Sequence, residues 1–262
     1  MRLLLASALL ASGMVPGAAA AAPPSTYAVG SIPVAVGQGD LEFPVSGDFR
    51  GQVGTVLVSQ GTFDNRNPFS NLSGVGPWAW LHYDGFPNLR LSVGFEEVFF
   101  MSIPDMGIAS SHEERGLLRA RLQQPRGASA LYQMLQLDIR SFNDPSGQHQ
   151  IVWRPRLRLG VGFNLDATRI HSTTLYMESA LRFADSSYTT HAFDFYRAVL
   201  GYTWTTRRGL FATAAVVGQV SLNPPGSGFT VLFGPVLSLA YRIAPPGKAA
   251  EEPPQPPEIE PQ

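Results

Sequence analysis

From residue 150 to residue 165, apolar and polar side chains alternate almost without interruption. Ile151, Trp153, Pro155, Leu157, Leu159, Val161, Phe163 and Leu165 share one side. Gln150, Arg154, Arg156, Arg158, Gly160, Gly162 and Asn164 share the other, with only Val152 out of pattern. A period of two belongs to a β-strand with one apolar and one polar face. The run is far longer than the roughly 5–6 residues of an ordinary soluble strand. It fits a strand with lipid on one side and a polar lumen on the other.

Alternation recurs in ten segments: 50–60, 75–83, 87–97, 113–123, 129–142, 149–165, 170–184, 191–205, 209–222 and 229–243. Long links at 61–74 and 98–112 flank a tight Asp84-Gly85-Phe86 turn. Further on, short turns at 124–128, 166–169 and 206–208 alternate with longer links at 143–148, 185–190 and 223–228. Bacterial outer-membrane barrels place short turns at one end and longer loops at the other. The expected fold is therefore all-β: an antiparallel, up-and-down transmembrane β-barrel of about ten strands, with twelve as second choice. Ten strands would leave both termini in the periplasm. Residues 21–49 alternate weakly and leave two readings open, an extra strand pair or a periplasmic or lumenal segment.

Two further features bear on this. Trp153 and Phe163 lie ten residues apart on one face, roughly 25 Å along the membrane normal at a tilt of about 40°. That is the height of an apolar band edged by aromatic girdles. Phe229 and Tyr241 bracket the last segment in the same way, and Tyr196, Tyr202 and Trp204 share a face of the eighth. The opposite faces collect Arg90, Glu96, Arg115, Arg119, Arg121, Asp138, Arg140, Arg154, Arg156, Arg158, Glu178, Arg182, Arg197 and Arg242. A charge facing lipid at the midplane costs about 2–4 kcal/mol, so these residues are expected to form a lumen-facing charge network. They could serve as ion pairs that fill a narrow lumen. Their arginine excess could instead line a narrow, anion-preferring path.

Composition adds the ends of the chain. Residues 1–20 read as a signal peptide, with Arg2, an apolar stretch at 3–10 and small residues up to Ala20. The barrel is expected over 50–243. Residues 244–262, rich in Pro and Glu, are expected to form an extended, disordered periplasmic tail. No stretch approaches the ~18 apolar residues of a membrane helix. The chain has no cysteine, which excludes disulfides and thiolate chemistry.

The order of Glu114-Arg115, Arg119, Arg121, then Trp153-Arg154-Pro155-Arg156-Leu157-Arg158, then Glu178, Arg182 and Tyr196-Arg197 before Gly201 carries a resemblance. Over roughly residues 75–221 the chain resembles a family of small bacterial outer-membrane barrels known only as a domain of unknown function. The resemblance implies the fold and the compartment and no reaction. The Pro-rich tail departs from barrels that end on an aromatic residue; the nearest here is Tyr241.

Catalytic chemistry has few candidates. The histidines are His82, His112, His149, His171 and His191. A hydrolase needs a nucleophile, a base and an orienting carboxylate. His171-Ser172, His191 with Asp194, and His112-Glu113-Glu114 come nearest, without the spacing of outer-membrane lipases or proteases. No catalytic residue, metal site or cofactor is expected, and the arginines lie on strand faces, which argues against nucleic acid. Expected partners are outer-membrane lipid and lipopolysaccharide, the barrel-assembly machinery, and a periplasmic partner for the tail. The link at 98–112 carries Phe99, Phe100, Met101, Ile103 and Met106. It is expected to plug the barrel mouth, rest on lipopolysaccharide, or extend the preceding strand. Two other classes stay open: an outer-membrane lipid- or peptide-processing hydrolase, and a soluble secreted β-sandwich.

Overall fold

A computed structural model of the chain describes residues 28–62, 64–103, 110–143, 147–184, 193–206, 208–222 and 228–243. The signal peptide and the tail lie outside the described residues, as do Met106 and His191.

The strands are β1 (Ala28–Ser46), β2 (Phe49–Gln60), β3 (Asn71–Phe86), β4 (Leu89–Phe100), β5 (Ser111–Arg126), β6 (Ser129–Asn143), β7 (His149–Asn164), β8 (His171–Leu181), β9 (Phe183–Ala184), β10 (Phe193–Thr205), β11 (Leu210–Leu222) and β12 (Gly228–Arg242). The two-residue β9 continues β8 past Arg182 and pairs with Val152 and Trp153 of β7. The chain is therefore a closed barrel of eleven staves. Neighbours in sequence pair antiparallel all the way round. The ring shuts where β1 meets β12 in parallel. A single closed ring replaces the two-layer sandwich alternative.

The ten expected segments are all present, and the eleventh stave is β1. Residues 28–46 form one long strand, not a strand pair or a separate segment. Its outward positions explain why the alternation was faint. Gly37 and Gly39 carry no side chain there, while Ile32, Val34, Val36, Gln38 and Glu42 point inward and are buried. The odd count dictates the parallel seam, because with up-and-down strands the first and the eleventh run the same way. It also moves the termini apart. β1 starts at the end with the long loops, and β12 finishes at the end with the tight turns. The expectation that both chain ends share one side is corrected accordingly. At the seam Gly234 lies so close to Val34 that a Cβ would overlap the Val34 carbonyl oxygen at 1.6 Å. Pairing is interrupted there between Pro33–Phe233 and Val36–Val236.

Three of the turns, at 47–48, 87–88 and 127–128, are two-residue hairpin loops, the second falling just past the expected Asp84-Gly85-Phe86, which ends β3. Gly47 and Gly127 take φ of 53° and 63°, the left-handed conformation such turns demand. Alternation then sorts the side chains. In β7 the arginines face in, as does Val152, while Ile151, Trp153 and Phe163 face out. The outer surface is apolar through its middle, with Leu81, Val93, Leu118, Leu135, Leu175, Leu200, Val216 and Leu237 exposed. Aromatic side chains gather toward both ends. At the turn end Phe49 packs on Tyr83 and Tyr83 on Phe86, with ring centroids 5.1 and 5.5 Å apart. At the loop end Phe99 stacks on His112 at 4.9 Å.

The parallel seam makes a direct prediction. Cysteines placed at Gly37 and Leu237, partners across the seam, should be joined by a short bifunctional thiol reagent in this otherwise cysteine-free chain. A cysteine at Gly30 should not be joined to one at Leu237. The reverse pattern, with folding verified by heat-dependent gel mobility, would overturn the seam.

Candidate functional site: a charge lattice in the lumen

A ring this small must be filled by side chains. Cross-strand register decides which ones meet. On β8, Glu178 stands opposite Arg158 of β7 and opposite Arg197 of β10. Its carboxylate accepts from Arg156 Nε at 2.5 Å, Arg158 Nη2 at 2.9 Å and Arg197 Nη2 at 2.9 Å. Asp138 of β6, opposite Arg154, accepts from Arg154 Nη2 at 2.7 Å and from Gln136 Nε2 at 2.6 Å, and Arg156 Nη1 lies at 3.4 Å. Gln136 in turn accepts from Arg119 Nε at 2.6 Å. The Arg119 guanidinium lies 3.9 Å from the Trp80 ring centroid, a cation–π contact that holds the charge over an aromatic face. Gly94 leaves the room for that ring, since a Cβ there would come within 2.5 Å of it.

Toward the loop end, Arg115 and Arg140 are cross-strand neighbours. Like charges so placed repel. Glu113 lies between them, accepting from Arg115 Nε at 2.5 Å and also from Arg140. Glu96 takes Arg115 Nη1 at 2.9 Å. Asp194 is bound by Arg182 and lies 3.4 Å from Arg154 Nη1. Toward the turn end, Glu42 of β1 gathers Arg50, Arg90 at 3.3 Å and Arg242 at 3.2 Å, and Arg90 Nε also donates to Asp84 at 2.7 Å. Arg121 lies inside as well, 5.5 Å from the Tyr132 ring.

The structure thus brings the fourteen expected network residues into one lumen. It also supplies acids absent from that expected set: Glu42, Asp84, Glu113 and Asp194, with Asp40 bound to Gln52 at 2.8 Å. Arg50 joins the basic side. The three carboxylates expected against eleven arginines become eight against twelve among the described residues. Glu42 was hidden with β1. Asp194 was hidden by a register shift between Phe193 and Phe195, which buries Asp194 and Phe195 alike and breaks the phase that alternation relies on. Glu113 is in phase with Arg115 and was legible.

The lattice fills the lumen along β4 to β10 and, at the turn end, reaches across to Glu42, Arg50 and Arg242. Nearer the loop end the inner wall of β1, β2, β11 and β12 is mostly apolar: Val34, Val36, Val56, Val217 and Val236 pack with Val199 and Tyr176. An apolar cavity of about 340 Å³ lies above them at the loop end, lined by Phe100, Met101 and Ile103 among others. The first part of the apolar link extends the preceding strand, since β4 runs to Phe100 with Phe99 facing out, and beyond it Ile103, 1 % exposed, is buried at the mouth. At the turn end a larger cavity of about 680 Å³ opens between Arg90, Arg121, Tyr132 and Ser172. Gly162 makes space for the Tyr132 ring there, at 2.8 Å from a would-be Cβ. The β7–β8 turn borders this cavity. In it Asp166 accepts from the Thr168 hydroxyl and from the N–H of Ile170 and His171. The Thr168 hydrogen bond, followed by these backbone donors, holds its carboxyl below the ordinary aspartate range.

The histidines do not assemble a hydrolytic site among the described residues. His112 pairs with Glu97 on the outer face at 2.9 Å, while Glu113 points inward. His171 contacts the Tyr202 hydroxyl at 2.5 Å, also outside. His82 is the lumenal histidine, bridging Ser92 Oγ and Gln52 Oε1 at 2.8 Å each. Its second partner is an amide where a triad has a carboxylate. No family model matches the chain, and a search of curated proteins returned no match.

Removing a shared carboxylate strands several buried cations, which costs about 3–5 kcal/mol. Glu178→Gln should therefore lower folding stability by about that amount in urea titrations followed by tryptophan fluorescence. Glu97→Gln, at the exposed His112 pair, should cost under about 1 kcal/mol. Equal effects at the two positions would refute the lattice as a source of stability.

Proposed function

We propose that the protein is an integral barrel of a bacterial outer membrane whose lumen is sealed at mid-height, with a structural and not an enzymatic role. The observation that carries the sealed reading is the burial at the lattice. Arg197, Gln136, Glu178 and Asp138 are among the side chains less than 2 % exposed. A conducting path would keep its charged lining wet, and here the charges face one another. The membrane reading is supported by the closed ring, in which every described stave has a paired neighbour on both sides, and by the apolar outer belt with aromatic ends. Short turns at the periplasmic side, as in bacterial barrels, would put the C-terminal tail in the periplasm and the start of β1 at the outer surface. Lipid and lipopolysaccharide would then surround the belt, and the barrel-assembly machinery would insert it.

One observation favours a second reading, a narrow anion-preferring channel: twelve arginines against eight acids leave the lumen cationic. Conductance separates the two. The refolded full chain in a planar bilayer under a salt gradient should stay silent, and the protein should fractionate with outer membranes and need detergent for release. Discrete openings reversing on the anion side would replace the sealed barrel with the channel. Recovery in the soluble periplasmic fraction would overturn the membrane assignment.

A further inference from the structure

We infer that the cavity at the turn end is a receptor site for a compact, polyvalent oxyanion of the phosphate-ester or pyrophosphate class. The inference rests on the closed barrel alone and holds whether or not the barrel sits in a membrane. The cavity, about 680 Å³, is of the size that small-ligand pockets take. Of its six charged lining residues, five are Arg50, Arg90, Arg121, Arg169 and Arg242, and the sixth is Asp84. With Glu42 beneath, five positive charges face two negative ones, a net charge of about +3.

The placement of the charges matters as much as their sum. Both acids stand on one wall, Glu42 on β1 and Asp84 on β3. Arg121 on β5 and Arg169 in the β7–β8 turn stand elsewhere on the rim. Arg90 and Arg121 are cross-strand neighbours, a repulsive pairing. Around Glu42 and Asp84, three arginines bring roughly fifteen N–H donors to about eight lone-pair sites. Arg242 Nε is buried there with no hydrogen-bond partner. Guanidinium groups in this surplus match phosphate oxygens in bidentate geometry. Ser129, Ser172 and Thr174 add hydroxyls on small walls, and the Thr174 hydroxyl is itself buried with no hydrogen-bond partner.

The test is calorimetric titration of the refolded full chain, in neutral detergent at low salt, with sodium pyrophosphate. Saturable one-site binding is expected, weakened about tenfold or more in Arg121→Gln and in Ser172→Glu, which sets a fixed carboxylate in the cavity. Neither change touches the Glu42 cluster, and heat-dependent gel mobility checks that both variants fold. Anionic groups could also come from the chain itself, since Glu251, Glu252, Glu258 and Glu260 follow Arg242. A full-length variant with these four changed to Gln separates the sources. Binding seen only in that variant would assign the same oxyanion site to the tail. No binding in either form, or binding unchanged by Arg121→Gln and Ser172→Glu, would overturn the proposal. Membrane fractionation and conductance are read separately, so a failure of the outer-membrane reading leaves this result interpretable.

Discussion

A charged side chain that alternation turns into a narrow lumen has to find an opposite charge there, and the barrel is organised around that requirement. Glu178 meets it most fully. One carboxylate from β8 serves arginines from β7 and β10, so three staves are tied at one level. Asp138, Glu113 and Glu42 repeat the device at other levels and reach from β1 round to β12. Each of these acids is shared by two or more arginines and ties at least two neighbouring staves. Ion pairs of this kind are weak evidence of net stabilisation, since desolvation opposes attraction. They are strong determinants of register: a slip of one residue in β7 would turn its arginines outward, leaving Asp138 without Arg154 and Arg156 and Glu178 with Arg197 alone of its three arginines.

The division of the lumen follows from the same rule. Above the Glu42 cluster, where β1, β2, β11 and β12 place mainly Val, Ala and Gly on their inner positions, no charge has to be answered and the wall packs as an ordinary core. Where β4 to β10 place arginine, the wall becomes a polar lattice with aromatic rings as spacers. The two cavities lie at the ends, apolar under the link that carries Ile103 and basic beside the tight turns.

Much of this was legible in the chain. Long period-two runs and the alternation of short and long connections pointed to the barrel and to ten of its staves, and the phase of the arginines pointed to their common side. What alternation could not show follows from its physics. β1 has glycines where lipid-facing residues would announce a strand, so the stave and its Glu42 stayed hidden. Asp194 sits at a register shift, where period two no longer predicts direction. Acids on other strands could be matched to arginines only once the tilt and stagger of the ring were known, which is why the lumen looked more cationic in sequence than it is in space.

The odd number of staves has one more consequence. In an even barrel the first and last strands end at the same rim, so the natural termini can be joined by a short linker and new ones opened at another turn. Here β1 starts beside the start of β12, a full strand length from where β12 finishes. A linker would have to run the height of the wall, roughly 30–50 Å for a strand of this kind. This ring therefore cannot be circularly permuted through a hairpin turn, and whatever is attached to its two ends is held at opposite rims of the barrel.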